Sequence, residues 1–436
     1  MSEFAFDDSS HMATAIRRMV ADHGTELAHA SLRVHPSDDM FAFSWNLTST
    51  PELGIMAYFR AGLQIHDTWS QIARWYFGSV DAITSACDFA SGYGRSTRFL
   101  ASTLPPDRVW SVEILDAAVE FQGTEYGVHA VRSATDPDRW SSPQQFDYIF
   151  VSSLFSHLPD ATFRRWLATL HSSLAPGGLL AFSVHDDALL KPEEFGQMPP
   201  NGLLFIASSE VSDLSTEDYG ATFVTEDYVA AAIKEVTGRS DYWRLPQALC
   251  FEQDIYLVPN EPVPDRSAPE IGRGVAGVVD TVRLSEGVLT LTGWAADLDS
   301  EHEPALVTVE LDGTKLGMSR PDVARPDVAE HLRSTQPIHA SCGWRGSFPV
   351  GSKSLNAEQI LLVKAYPGDG SGPGFVLHSV PLGDLVAVPK AGASQLPFQV
   401  ASKLEHLADL LRREGFRGTG TAVVQKATGR WKSPSA

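Results

Sequence analysis

The segment Asp88-Phe-Ala-Ser-Gly-Tyr-Gly94 places an acid at the end of an apolar run, followed by two glycines two residues apart. A glycine turn lets backbone come close to a ligand where a Cβ would clash. A helix beginning after such a turn offers free N–H groups to a polar or anionic ligand. Glu113 ends the next apolar run roughly 20 residues on, the spacing of an acid that accepts hydrogen bonds from two ribose hydroxyls. Asp88, Ala90, Ser91, Gly92, Gly94, Glu113 and Ile114 are thus candidate contacts for a nucleoside-type ligand. Asp136 either reaches a base amine or lies on the surface. A dinucleotide fingerprint needs a third glycine where Thr97 stands, so a pyrophosphate ligand is disfavoured. Further along, Ser152 and Ser153, His157, and His185 with Asp186 follow two later apolar runs. They are the candidates for handling an acceptor and its proton.

The elements needed to bring these groups together are visible as alternating strands and helices, the pattern of a parallel α/β sheet. Strands are predicted over 82–89, 108–114, 128–132, 146–152, 179–184 and 249–258. Helices are predicted over 95–104, 160–174 and 225–236, with a turn at Ala175-Pro-Gly-Gly178. Ligands in such sheets bind outside the C-terminal strand ends, where all the candidates lie. The stretch 191–220 is rich in Pro and Gly and is expected to be an irregular, mobile acceptor-binding insertion. Upstream, residues 1–80 read as a helical cap, with helices over 12–32 and 52–77. Downstream, Pro259-Asn-Glu-Pro-Val-Pro marks a linker over 259–273. Six short runs over 274–384, separated by Glu286-Gly287 and Asp312-Gly313, predict an antiparallel β-sandwich. In the last segment, 385–436, Leu396, Val400, Leu404, Leu407 and Leu411 share a helical face, a possible surface for pairing with a second copy, and a basic tail follows.

The missing third glycine shifts the balance from NAD toward S-adenosyl-L-methionine, a nucleoside carrying an amino acid on a sulfonium, without excluding other nucleosides. The motifs quoted above, together with Phe146-Asp-Tyr-Ile-Phe-Val-Ser-Ser-Leu-Phe-Ser-His-Leu-Pro159 and Leu174-Ala-Pro-Gly-Gly-Leu-Leu180, resemble those of class I S-adenosylmethionine-dependent methyltransferases over about residues 81–258. Ala90 stands where many members have glycine. The resemblance implies a Rossmann-like sheet with flanking helices and a methyl-transfer reaction. Tyr58-Phe-Arg-Ala-Gly62, Ser153-Leu-Phe-Ser-His-Leu158, Phe182-Ser-Val-His185, Asp218-Tyr-Gly-Ala-Thr222 and Gln253-Asp-Ile-Tyr256 together resemble methyltransferases encoded with bacterial surface-glycan and sugar-modifying enzymes. That likeness implies a sugar hydroxyl as acceptor, with a small natural product as the alternative. It also implies that Tyr58 and Arg60 approach the cofactor carboxylate, unless Arg60 is a surface charge. The β-rich region resembles a small sandwich attached to bacterial glycosyltransferases, in which Trp294 or Trp344 either stacks on sugar or fills the core.

A hydroxyl acceptor has to lose a proton, so a general base is expected. His185 is the first choice, then His157, with Asp186 beside them. His185-Asp-Asp187 also offers oxygens to a magnesium ion, but adjacent acids are ordinarily solvated and no metal is expected. A non-catalytic scaffold is the competing reading, and intact Asp88, Gly92, Gly94 and Glu113 weigh against it.

The formal net charge is −20 over 436 residues, which disfavours nucleic acid and anionic membranes as partners. Hydrophobic residues make up 43% and charged residues 20%, ordinary for a globular protein of more than one domain. Cys87, Cys250 and Cys342 are widely spaced and odd in number, pointing to a reduced, cytoplasmic setting rather than disulfides or zinc. The acidic first residues lack the pattern of a signal peptide, and no run is long enough to span a bilayer.

Overall fold

A computed structural model describes residues 6, 12–47, 51–207, 215–263, 266–350, 356, 358–382 and 385. The predicted helix carrying Leu396 to Leu411 and the basic tail lie outside them. The chain divides into two compact units. Among the described residues, one comprises those within 69–97 and 104–271; the other comprises those within 6–68, 98–103 and 272–385.

The first unit is built on a nine-stranded sheet. Its strands are β1 (Ala86–Phe89), β2 (Val109–Glu113), β3 (His129–Arg132), β4 (Phe146–Val151), β5 (Leu174–Asp186), β6 (Leu203–Ile206), β7 (Ala221–Val224), β8 (Trp243–Leu249) and β9 (Gln253–Pro259). The order is β3-β2-β1-β4-β5-β7-β6, with β9 pairing β5 and β8. Strands β1 to β5 are parallel, while β9 runs antiparallel to β5. β1 is fully buried, as expected of a central strand covered on both faces. The helix Asp160–Ser172 buries Phe163, Trp166, Leu167 and Leu170 at helical spacing. These residues join Phe89, Ile149, Phe155 and Phe182 in one core.

Strand order reverses at β1, which has β2 on one side and β4 on the other. A crevice outside the strand ends forms at such a point. The turns after β1 and β4 flank it, which brings the Gly92 and Ser153 segments into one neighbourhood.

Two departures from expectation concern this unit. β5 starts at Leu174 and keeps an irregularity at the expected turn: its pairing with β4 steps from Phe146–Leu174 to Tyr148–Leu179, with Gly177 at φ +72°. A Cβ on Gly178 would sit 2.8–2.9 Å from the carbonyl oxygens of Ala175 and Phe146, so glycine there permits close backbone approach. The expected irregular insertion also holds regular structure. A short helix, Pro192–Phe195, precedes β6, which pairs antiparallel with β7. Phe195, Met198, Leu204 and Ile206 pack around Ala221 and Phe223. The four-residue apolar run of β6 is too short to distinguish from a loop by period alone.

The second unit contains the sandwich and, contrary to a separate N-terminal cap, the N-terminal helices. Its strands are β10 (Val275–Ser285), β11 (Val288–Asp297), β12 (Leu306–Leu311), β13 (Thr314–Ser319), β14 (Gly343–Pro349), β15 (Ile360–Tyr366) and β16 (Phe375–Pro381). They form antiparallel sheets β10-β11-β14 and β13-β12-β15-β16. The turns at Glu286-Gly287 and Asp312-Gly313 have positive φ at both residues, the geometry that matches strand twist in two-residue hairpins.

In β15, Leu361, Val363 and Ala365 face the sandwich core. Alternation sends Ile360 and Leu362 to the other face, where they join Val376 in a cluster with Ile16, Met19, Val20, Leu63 and Phe99. Polar ties accompany that apolar layer. Lys364 pairs with Asp22 at 2.5 Å, and Arg60 donates to the Val376 carbonyl at 2.8 Å. The N-terminal part of the predicted cap, up to residue 68, thus covers one face of the sandwich, while residues 69–80 belong to the sheet-bearing unit. The strand periodicity gave no sign of it, because both faces of β15 are buried.

Candidate active site

Glu113 ends β2 with its carboxylate turned to the glycine turn. Oε2 accepts from the Gly92 N–H at 2.7 Å, and Oε1 accepts from the Ile114 and Leu115 N–H groups at 2.7 and 3.2 Å. Burial pushes the Glu113 pKa up, and the three N–H donors oppose that shift. Gly92 has φ +58°, and a Cβ built there would meet nothing within 4 Å. The turn therefore presents open space beside a buried carboxylate, as a nucleoside ligand requires. Gly94, at φ +79°, is different: its Cβ would lie 2.4 Å from Tyr126 Cε2. The two glycines have separate tasks, one toward open space and one toward packing.

Gln122 and Tyr126, on the helix Asp116–Tyr126, hold the turn from behind. Gln122 Nε2 donates to Ser91 Oγ at 2.9 Å and to the Gly92 carbonyl at 2.8 Å, and Tyr126 Oη donates to the Tyr93 carbonyl at 3.2 Å. The sequence reading missed both. A buried Gln on the helix after β2 was the available signal. Ala90 has φ +58°, which explains why glycine is favoured at this position.

Asp88 is buried, and its Oδ2 accepts from Ser96 Oγ at 2.9 Å and Thr97 Oγ1 at 2.7 Å. Burial raises its pKa to about 6, against the two hydroxyl donors; nearby Glu113 raises it further and Arg95 lowers it. Asp88 thus ties the end of β1 to the start of the helix Thr97–Thr103.

The far side of the crevice is a closed polar ring. Ser153, at φ +63°, donates its N–H to Ser183 Oγ at 2.8 Å. Ser183 Oγ donates to Gln253 Oε1 at 2.7 Å, and Gln253 Nε2 donates to Ser153 Oγ at 2.9 Å. The same nitrogen lies 3.3 Å from His185 Nε2. His157 Nδ1 donates to the Gly220 carbonyl at 2.6 Å, and its ring stacks on Tyr219 at 4.6 Å. The His157 and His185 ring centres are 5.9 Å apart. Ser152 sits half-buried between β4 and Ser153.

Several expected site residues are engaged elsewhere. Asp186 accepts from the Ala188 N–H with Oδ1 and from Arg244 with Oδ2 at 2.7 Å. Arg244 also holds Asp254 at 2.7 Å and Glu226 at 2.5 Å. This makes Asp186 an anchor for the end of β5, with both carboxylate oxygens engaged by the protein. Asp136 pairs with Arg165 and Arg139 on the surface. Tyr58 is fully buried, donating to Asp38 at 2.5 Å and accepting from Arg98 at 3.1 Å. Arg60 lies over the Phe375 ring at 4.6 Å as well as on Val376. Both are committed to the sandwich-bearing unit and not to a ligand carboxylate. Trp294 and Trp344, 7% and 1% exposed, are core residues, so neither offers a sugar platform. Among the described residues no His/Cys/Asp/Glu group is arranged to hold a metal, and no helix is long and apolar enough to cross a membrane.

No curated protein matches the chain. Among solved structures, an amino pentose methyltransferase from Micromonospora echinaspora is 15% identical, covering 45% of this chain and 92% of that one with a TM-score of 0.33. A 1,6-didemethyltoxoflavin N1-methyltransferase from Burkholderia thailandensis is 18% identical, covering 45% and 77% with a TM-score of 0.31. Residues 87–180, which carry the glycine turn, Glu113, Ser153 and His157, match the family model described as a methyltransferase domain.

Proposed function

We propose that the protein is an S-adenosyl-L-methionine-dependent methyltransferase acting on a sugar hydroxyl of a glycan or glycan precursor. The observation that carries the cofactor assignment is the buried Glu113 carboxylate beside the open side of Gly92. A ribose diol suits a carboxylate acceptor, and the missing Cβ suits close approach of a nucleoside. S-adenosyl-L-methionine, when bound, supplies an activated methyl group and a neutral thioether leaving group. The protein has to align the acceptor oxygen, exclude water and take up the hydroxyl proton.

His157 suits the last task better than His185. A carbonyl only accepts, so His157 Nδ1 bears the hydrogen shared with Gly220, and the neutral ring keeps its basic lone pair on Nε2. His157 Nε2 would take up the proton that the acceptor hydroxyl gives up, the methyl group coming from bound S-adenosyl-L-methionine. The sugar assignment is supported by the sequence likeness and by an acceptor side of hydroxyls, amide and imidazole. Three widely spaced cysteines, odd in number, fit the cytoplasm as the site of action.

Calorimetric titration with S-adenosylhomocysteine tests the cofactor assignment. Micromolar binding, weakened by about 1–3 kcal/mol in Glu113→Ala, is expected for loss of a buried charged hydrogen-bond acceptor. Absence of binding by the folded wild type would refute it. Screening sugar and natural-product acceptors with His157→Gln as control then tests the rest. That variant should retain S-adenosylhomocysteine binding and lose methylation.

A further inference from the structure

We propose that Gln253 is a positioning residue that fixes the proton arrangement of the acceptor side, holding His185 in its Nδ1–H form and turning the Ser153 hydroxyl hydrogen away from the ring. The proposal rests on the methyltransferase assignment only for its functional meaning. The hydrogen-bond logic stands on four side chains.

Ser183 Oγ accepts the Ser153 backbone N–H at 2.8 Å and must send its own hydrogen elsewhere; Gln253 Oε1, at 2.7 Å, takes it. With the Ser183 hydroxyl as donor, that end of the Gln253 amide is its oxygen. The other end, Nε2, carries two hydrogens and faces two atoms, Ser153 Oγ at 2.9 Å and His185 Nε2 at 3.3 Å. Both must then accept. His185 presents a lone pair at Nε2, so the neutral ring carries its hydrogen on Nδ1. Ser153 Oγ receives a hydrogen bond from Gln253, so its own hydroxyl hydrogen points away from that amide. Ser153 also sits in the left-handed region at φ +63°, a conformation that a non-glycine residue keeps only where its surroundings impose it. Its N–H and Oγ are both held by the ring, which is the imposing structure.

The consequence separates the two histidines. The amide occupies the His185 Nε2 lone pair, so His185 is an orienting group, leaving proton uptake to His157. Gln253 lies in β9, about 70 residues beyond His185 in sequence, and reaches it because β9 pairs antiparallel with β5.

The test is direct. In protein labelled with nitrogen-15 histidine, the His185 signals are assigned by their loss in His185→Asn. Wild type should show the Nδ1–H form at neutral pH. Gln253→Glu replaces the donor with an acceptor and should move the hydrogen to Nε2 or protonate both nitrogens. If the buried glutamate prevents folding, Ser183→Ala serves instead. It releases Gln253 Oε1, lets the amide turn over and should admit the Nε2–H form. A wild-type His185 in the Nε2–H form overturns the proposal, as does a His185 signal unmoved in both variants. S-adenosylhomocysteine titration of the same samples keeps the two assignments apart. Absence of binding by wild type would remove the methyltransferase assignment while leaving the proton arrangement measured. Binding with an unmoved tautomer would remove Gln253 alone.

Discussion

Replacing Asp88 with asparagine should make the sheet-bearing unit more stable near neutral pH and have less effect in acid. Asp88 is fully buried, and its pKa rises from 3.8 to about 6 mainly because burial penalises the charge. Between those values the native state binds more protons than the unfolded chain, so stability falls as pH rises. The stabilising condition is full protonation below 3.8, and it is lost as pH passes through about 6. A shift of roughly two units at 1.36 kcal/mol each amounts to about 3 kcal/mol in full. About 2 kcal/mol of it develops between roughly pH 4.5 and 7.5. Asparagine keeps an oxygen for the Ser96 and Thr97 hydroxyls and carries no charge. The stability gap between Asp88→Asn and wild type should therefore shift by about 2 kcal/mol toward the variant over that range. Glu113 and Arg95, the charged groups that act on Asp88, are common to both proteins, and their own titration largely cancels. Hydrogen exchange of the β1 amides, corrected for intrinsic rates, reads the opening of this unit without assuming that the whole chain unfolds in one step. A gap that stays constant with pH would refute the assignment of a buried, charge-penalised Asp88. A gap that moves the other way would show that the hydroxyl donors outweigh burial.

The two glycines of the turn should respond in opposite ways. Gly92→Ala meets no neighbour and pays only the left-handed backbone strain, about 1–2 kcal/mol, yet it should weaken S-adenosylhomocysteine binding at least about tenfold by filling the open side. Gly94→Ala drives a methyl into Tyr126 and Gln122 and should lower the melting temperature by more than Gly92→Ala does; equal melting temperatures would contradict the division of tasks. Arg60→Met should destabilise the sandwich-bearing unit by about 1–3 kcal/mol through the lost bond to Val376 and contact with Phe375, while leaving the S-adenosylhomocysteine dissociation constant within about twofold. A large loss of affinity in a folded Arg60→Met would return Arg60 to the ligand.

The glycine-turn side of the crevice was legible as local structure because it depends on residue types at fixed places along the chain. Gly92, Gly94 and Glu113 announce themselves by a turn and a spacing, and β1, β2 and β4 by short buried apolar runs. Hydrogen-bond partners drawn from distant strands left no such mark. Gln253 and Ser183 look like ordinary polar residues in strands until β9 is laid against β5. Asp186 looked available for chemistry because it follows His185 at a strand end, and nothing in its neighbours discloses Arg244, which comes 58 residues later. Tyr58 and Arg60 were assigned to the ligand by likeness. Their actual partners, Asp38, Arg98 and the β16 carbonyl of Val376, are set by the packing of the N-terminal helices.

That packing also bears on how an acceptor is recognised. An extended polymer lying along the sandwich would need an exposed aromatic face. One sheet, through β15 and β16, turns Ile360, Leu362 and Val376 toward the N-terminal helices, so that face is covered. In the other sheet Trp344 belongs to the core, and Trp294 lies edge-on to His331. The outward positions of β11 and β14 carry Thr290, Thr292, Arg345 and Ser347, which offer hydrogen bonds but no ring to stack on a sugar. For the proposed sugar acceptor, recognition would fall to the groups after β4 and β5 and to the segment at Tyr219, whose ring stacks on the His157 imidazole proposed to take the proton.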